Sequence, residues 1–80
     1  MFERQYRKLD RNLKNRVAER LHLLASEEFH PLLRNHQLTG EYEGFRSINI
    51  TGDWRLVYRR IGADTYQLRA VGTHHQLFGT

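Results

Sequence analysis

The sequence predicts an α+β fold in which an N-terminal helical hairpin packs on a three-stranded antiparallel sheet. Three observations carry this. Residues 2–25 place apolar side chains at helical spacing, and residues 45–71 alternate with a period of two. A chain of 80 residues has no room for a second core, so the two halves must cover each other within a single domain, 1–80.

From Phe2 the apolar positions run through Tyr6, Leu9, Leu13, Val17, Leu21 and Leu24, in steps of three or four that lay one stripe along a helix. Arg4, Lys8, Arg11, Lys14, Arg16 and Arg20 fall between them, toward water or a partner. Asp10 and Asn12 offer capping oxygens in the middle of the stripe, which favours two helices, 2–9 and 11–25, meeting at a bend. Pro31 lacks the backbone donor a helix interior needs and disfavours helical geometry at His30, so the second helix ends before it. Residues 30–44 then read as a linking segment, with Gly40 and Gly44 at turn positions.

Beyond Gly44 the period changes. Over 45–50, Arg46, Ile48 and Ile50 share one face and Phe45, Ser47 and Asn49 the other. Over 54–60, Trp54, Leu56 and Tyr58 oppose Arg55, Val57 and Arg59; over 65–71, Tyr66, Leu68 and Ala70 oppose Gln67 and Arg69. The connections at 51–53 and 61–64 are short and contain glycine, as antiparallel hairpins require. Gly72 ends the last strand, and Thr73 with Gln76 forms a capping-box pattern for one closing helical turn that puts His74 and Phe78 on the same side.

Thirteen Lys and Arg against nine Asp and Glu give a net charge of +4, which favours an acidic partner, nucleic acid or protein. With no cysteine, disulfides, thiolate metal sites and thiol catalysis are excluded. No apolar run approaches the ~20 residues that cross a bilayer, and the first residues lack the apolar stretch of a secretory signal, so a soluble, cytoplasmic protein that does not engage membranes is expected. The five histidines show no tight ligand spacing, and no phosphate-cradling loop, nucleophile elbow or coenzyme fingerprint is present, so neither metal nor cofactor is expected. What remains is His, Asp and Arg around a small sheet. Those groups suit RNA cleavage, in which a base deprotonates a 2′-hydroxyl, Arg stabilises the phosphate and an acid protonates the leaving oxygen.

Several stretches together resemble one family. HQLTG at 36–40, GFRSINI at 44–50, GDWRLVYRR at 52–60 and VGTHHQLF at 71–78 are similar to the YafQ branch of the RelE/ParE superfamily of type II toxin–antitoxin toxins. FERQYRKL at 2–9 and LKNRVAERLHLLA at 13–25 resemble that family's helical hairpin. The resemblance implies a RelE/ParE-like two-layer fold and an mRNA interferase that cleaves message in the ribosomal A site, with a cognate antitoxin protein as partner. It implies catalytic roles for His36, Asp53 and His74, with His74 as general acid and Asp53 or His36 as base, or the reverse order. Arg46 and Arg55 would stabilise the phosphate, and Phe78 would orient substrate or pack on His74. Trp54 either stacks a base or fills the core, and its alternation with Leu56 and Tyr58 suits the core. Asn49 stands where the branch carries a second sheet histidine; an amide binds phosphate or ribose but moves no proton.

The family's usual first β-strand has no counterpart here, because the sequence starts within the segment similar to the first helix. A bare sheet edge is therefore expected, open to pairing with a second copy. The alternatives are a ParE-like toxin that inhibits gyrase, with the basic helices as its working surface, and a catalytically impaired protein that only binds antitoxin.

Overall fold

A computed structural model describes residues 1–79. The element order is α1 (Phe2–Arg7), α2 (Arg11–Ser26), a 3-10 turn (Pro31–Leu33), β1 (His36–Gln37), a second 3-10 turn (Gly40–Tyr42), β2 (Arg46–Thr51), β3 (Trp54–Gly62), β4 (Thr65–Thr73) and α3 (His74–Phe78). The strands form one antiparallel sheet in the order β1-β2-β3-β4.

The helical half follows its sequence signals. Asp10 caps α2, its Oδ1 accepting from the Leu13 N–H at 2.8 Å, and this cap separates the two helices. α2 ends at Ser26, before Pro31, and His30 Nδ1 accepts from the Leu32 N–H at 3.1 Å to start the 3-10 turn. Leu9, Val17 and Leu24 are buried against Ile48, Ile50, Leu56, Tyr58 and Val71 of the sheet, with Phe2, Tyr6, Leu13 and Leu21 packed around them. Removing such side chains from water is worth roughly 1.5–3 kcal/mol each, which makes this layer the main source of stability.

The sheet departs from expectation in two places. It has four strands rather than three, because His36 and Gln37 inside the linking segment pair with Ser47 and Arg46. A two-residue strand is too short to show alternation. The second departure is in β4. Leu56 pairs with Val71, Val57 with Ala70, and Tyr58 with Leu68, leaving Arg69 as an extra residue in a β-bulge. The bulge inverts the alternation, so Ala70 does not share a face with Tyr66 and Leu68 as expected; Val71 takes the helix-facing position instead. Ala70 joins Tyr42, Val57 and Leu77 in a second, smaller cluster on the face the long helices leave uncovered.

A second irregularity lies between Asn49 and Thr51 in β2, and the Ile50 carbonyl there accepts from Arg20 Nε of α2 at 3.0 Å. The β4 edge is not bare along its last residues. α1 lies against it, and Gln5 Oε1 accepts from the Val71 N–H at 2.8 Å. No helix among the described residues is long and apolar enough to cross a membrane.

Candidate functional site

The uncovered face of the sheet carries most of the residues singled out from sequence. Directly paired residues of antiparallel strands project to the same side. His36 of β1, Ser47 of β2, Val57 of β3 and Ala70 of β4 therefore form one lateral row. The neighbouring row, nearer the β2–β3 turn, holds Asn49, Arg55 and Gly72. α3 closes the end of this face, seating Leu77 beside Val57 and Ala70.

The turn and α3 are joined by a backbone bond: the His74 N–H donates to the Asp53 carbonyl at 2.9 Å. Gly52, at φ 52°, takes the left-handed conformation that makes this turn tight. At Gly72 the demand is closeness. A Cβ there would lie 2.9 Å from Gln76 Oε1 and 3.2 Å from Leu77 Cδ2, so the bare backbone is what lets α3 fold back on the strand. Thr73 and Gln76 close a reciprocal capping box, Thr73 Oγ1 accepting from the Gln76 N–H and Gln76 Oε1 accepting from the Thr73 N–H. The capping-box pattern read from sequence is thus realised, and His74 becomes the first residue of the helix.

His74 and Phe78 stack edge to face with ring centroids 5.0 Å apart, and Phe78 in turn meets the Tyr42 ring at 5.8 Å and 84°. His74 is half-buried and the Asp53 side chain exposed. His36 is exposed, with its Nδ1 3.0 Å from the Arg34 carbonyl. A carbonyl only accepts, so in the neutral ring Nδ1 carries the proton and Nε2 presents its lone pair. Arg55 Nη1 donates to the Gly52 and Trp54 carbonyls at 2.9 and 3.1 Å, which holds the guanidinium beside the turn.

Arg46 goes elsewhere. It pairs with Tyr58 and points to the helix-covered side, where Nε donates to Asn35 Oδ1 at 2.6 Å and the guanidinium lies over the Phe29 ring. Asn35 Nδ2 donates to the Tyr58 hydroxyl at 2.7 Å, and that hydroxyl donates to Glu28 Oε2 at 2.8 Å. Glu28 Oε1 accepts from Arg60 Nη1 at 2.9 Å. Burial is the main reason the Tyr58 phenol is pushed up to about 12, with the Glu28 carboxylate adding and the Asn35 donor and Arg46 charge opposing. Trp54 is half-buried at the margin of the main core, beside Thr73 in the ladder.

Two residues of this face were not singled out for function from sequence. Tyr42, which supports Phe78, sits in a 3-10 turn with no periodicity to mark it. Ser47 is fully buried within the His36 row, its hydroxyl without a hydrogen-bond partner among the described residues. Its place in the alternation was legible, but its burial on the face away from the long helices was not. Among the described residues no three His, Asp or Glu side chains gather as metal ligands.

Comparison with known proteins adds a family. The sequence profile described as "Bacterial toxin of type II toxin-antitoxin system, YafQ" matches residues 1–79. No curated protein matches. Among solved structures, YafQ from E. coli strain BL21(DE3) superposes with a TM-score of 0.81 at 21% identity, covering 98% of this chain and 90% of that one. The E. coli DinJ-YafQ toxin-antitoxin complex matches with a TM-score of 0.67 at 27% identity, over 94% of this chain and 80% of that one. A copper-bound mutant toxin from Helicobacter pylori gives 0.66 at 29%, over 96% and 90%.

Proposed function

The chain belongs to the YafQ family of toxins from bacterial type II toxin–antitoxin systems, a branch of the RelE-type toxins, and on that premise we propose that it is a cytoplasmic, ribosome-dependent endoribonuclease that cuts mRNA in the A site. The observation that carries this reading is the bond between the His74 N–H and the Asp53 carbonyl, which brings an imidazole and a carboxylate-bearing turn to one end of an uncovered, basic sheet face.

In the proposed reaction a base removes the 2′-hydroxyl proton and the 2′-oxygen bonds to phosphorus. The bond from phosphorus to the 5′-oxygen breaks, and an acid protonates that oxygen. The products are a 2′,3′-cyclic phosphate and a 5′-hydroxyl end. His74 is assigned the acid role, its ring oriented by Phe78. His36 is assigned the base role because its backbone bond leaves Nε2 as the acceptor, with the Asp53 carboxylate as the alternative base. Arg55 is assigned the phosphate, with Asn49 beside it in the same row. Arg46 acts instead through Asn35 and Tyr58, clamping residues 28–35 to the sheet. No metal is needed when the nucleophile belongs to the substrate.

The partner by the same reading is a cognate antitoxin protein, as DinJ is for the E. coli toxin. Self-pairing of two copies through β4 is left the stretch 65–69, since the Val71 and Thr73 N–H groups are taken by Gln5 and Gln76. Mapping mRNA 5′ ends on programmed, translating ribosomes tests the activity. Discrete A-site cuts that vanish in His74→Ala are expected. Absence of cuts with folded protein would overturn the nuclease reading and leave antitoxin binding as the function. His36→Gln and Asp53→Asn distinguish the two candidate bases, the true one being the variant whose cutting falls as far as that of His74→Ala.

A further inference from the structure

Around the corner of the sheet from the His74–Phe78 pair, a pocket of about 420 Å³ opens between α1 and α3, lined by Gln5, Lys8, Leu9, Trp54, Val71 and Gln76. Its size falls within the range of small-molecule sites. Its chemistry is one-sided. The side-chain oxygen of Gln5 accepts from the Val71 N–H and that of Gln76 from the Thr73 N–H. A backbone N–H needs an acceptor, so these bonds also fix which end of each amide faces the strand. Each amide keeps its NH2 as a donor, and the lining adds Lys8, whose ammonium donates only, and Trp54, whose indole N–H donates only. The polar side chains of the lining are rich in donors, and the remaining wall is an aromatic ring with Leu9 and Val71.

An acceptor-rich ligand with a flat apolar face fits that arrangement: a nucleotide, its base against Trp54 and its phosphate toward Lys8. Position favours RNA over an acidic peptide. Trp54 directly follows Asp53, and Gln76 lies two residues from His74 on the same short helix, so the pocket adjoins the proposed scissile site. We infer that this pocket is a subsite for the mRNA nucleotide flanking the cut, with Gln5, Lys8 and Gln76 as its donors. The inference rests on the nuclease reading for the identity of its substrate.

Trp54 is the sole tryptophan, so its emission reports occupancy of the pocket without any cleavage. The probe is a hexaribonucleotide 2′-O-methylated throughout, which has no nucleophile and stays intact. Gln5→Glu and Gln76→Glu keep the oxygen that binds β4 while replacing the donor by a carboxylate oxygen, and Glu suits the third position of a capping box. Folding is checked by circular dichroism and the thermal midpoint. A saturable emission change is expected for the wild-type chain, weakened roughly tenfold in each of these variants and in Lys8→Gln, where the salt dependence also falls by about one unit of slope.

No emission change up to millimolar probe, equal affinity in all three folded variants, or equal affinity for a hexaglutamate peptide would each overturn the assignment. Failure of the two readings is distinguishable: ribosomal cuts without a Trp54 response sink the subsite alone, and a response without cuts overturns the nuclease reading and with it the flanking-nucleotide assignment, leaving a nucleotide-binding pocket.

Discussion

Glu28 and Tyr58 meet carboxylate to phenol at 2.8 Å, joining the chain just beyond α2 to the middle of the sheet. The phenol also accepts from Asn35, so its one donor and one acceptor are both used in a site with no exposure to water. Tyr58→Phe leaves Glu28 and Asn35 each short of a partner and is expected to cost about 1–3 kcal/mol at neutral pH, read as a shift in urea midpoint.

The same phenol gives a pH signature. Its proton is held more tightly in the folded chain, about 12 against the ordinary 10.0. Its contribution is therefore whole below pH 10 and declines as pH rises through about 12, where folded and unfolded chains are both ionised at this group. The size is on the order of 2–3 kcal/mol. Urea midpoints from pH 9 to 12 should show wild type losing stability faster than Tyr58→Phe above pH 10. Parallel curves would refute this account of the phenol.

His74→Ala is expected to lower ribosomal cleavage by about 10²–10⁴-fold with the thermal midpoint nearly unchanged, since the ring is half-buried at the chain's last helix. Phe78→Leu keeps an apolar side chain against Tyr42 but removes the ring that meets His74 edge to face, and a loss of about tenfold is expected there. Single-turnover rates on programmed ribosomes decide both.

Gly72→Ala tests whether close approach of α3 positions His74. The added methyl meets Gln76 Oε1 and Leu77 Cδ2, and relief requires the short helix to shift. The expected cost in stability is about 1 kcal/mol, while cleavage should fall tenfold or more because the helix carries the acid with it. Equal stability with full cleavage would show that the helix adapts.

Ser47→Ala removes a buried hydroxyl that has no partner among the described residues. Stability is expected to hold or rise by up to about 1 kcal/mol, measured by thermal unfolding. Cleavage should not change.

The features legible in the sequence were those with local causes. The Asp10 cap, the apolar stripe of α1 and α2, the stop before Pro31 and the Thr73–Gln76 capping box each depend on neighbours within one helical turn, so spacing alone exposed them. The features that were not legible depend on distant partners. Nothing in Arg69 marks it as the bulged residue, because its unpaired state is set by how β3 and β4 align. The resemblance implies a phosphate role for Arg46, and nothing in the sequence marks the residue that takes its Nε, Asn35, eleven positions away in a segment without period. Gln5 carries no mark in the helical pattern of its oxygen's partner, the Val71 N–H, 66 residues later.

The bulge at Arg69 also divides β4 by its tolerance to changes in length. Between Thr65 and Leu68 the strand belongs to an exposed hairpin, and residues added or lost at its tip, near Gly62 and Thr65, leave the pairing of Leu56, Val57 and Tyr58 as it is. Past the bulge there is no such slack. Loss of Arg69 itself would leave Leu68 opposite Tyr58 and Ala70 opposite Val57 with both faces unchanged, whereas one residue added between Ala70 and Gly72 would turn Gly72 away from the helix that needs its bare backbone. Descendants of this chain are free to vary the hairpin tip, while the count of residues from Ala70 to Gly72 must be retained for the histidine-bearing end to stay on the uncovered side.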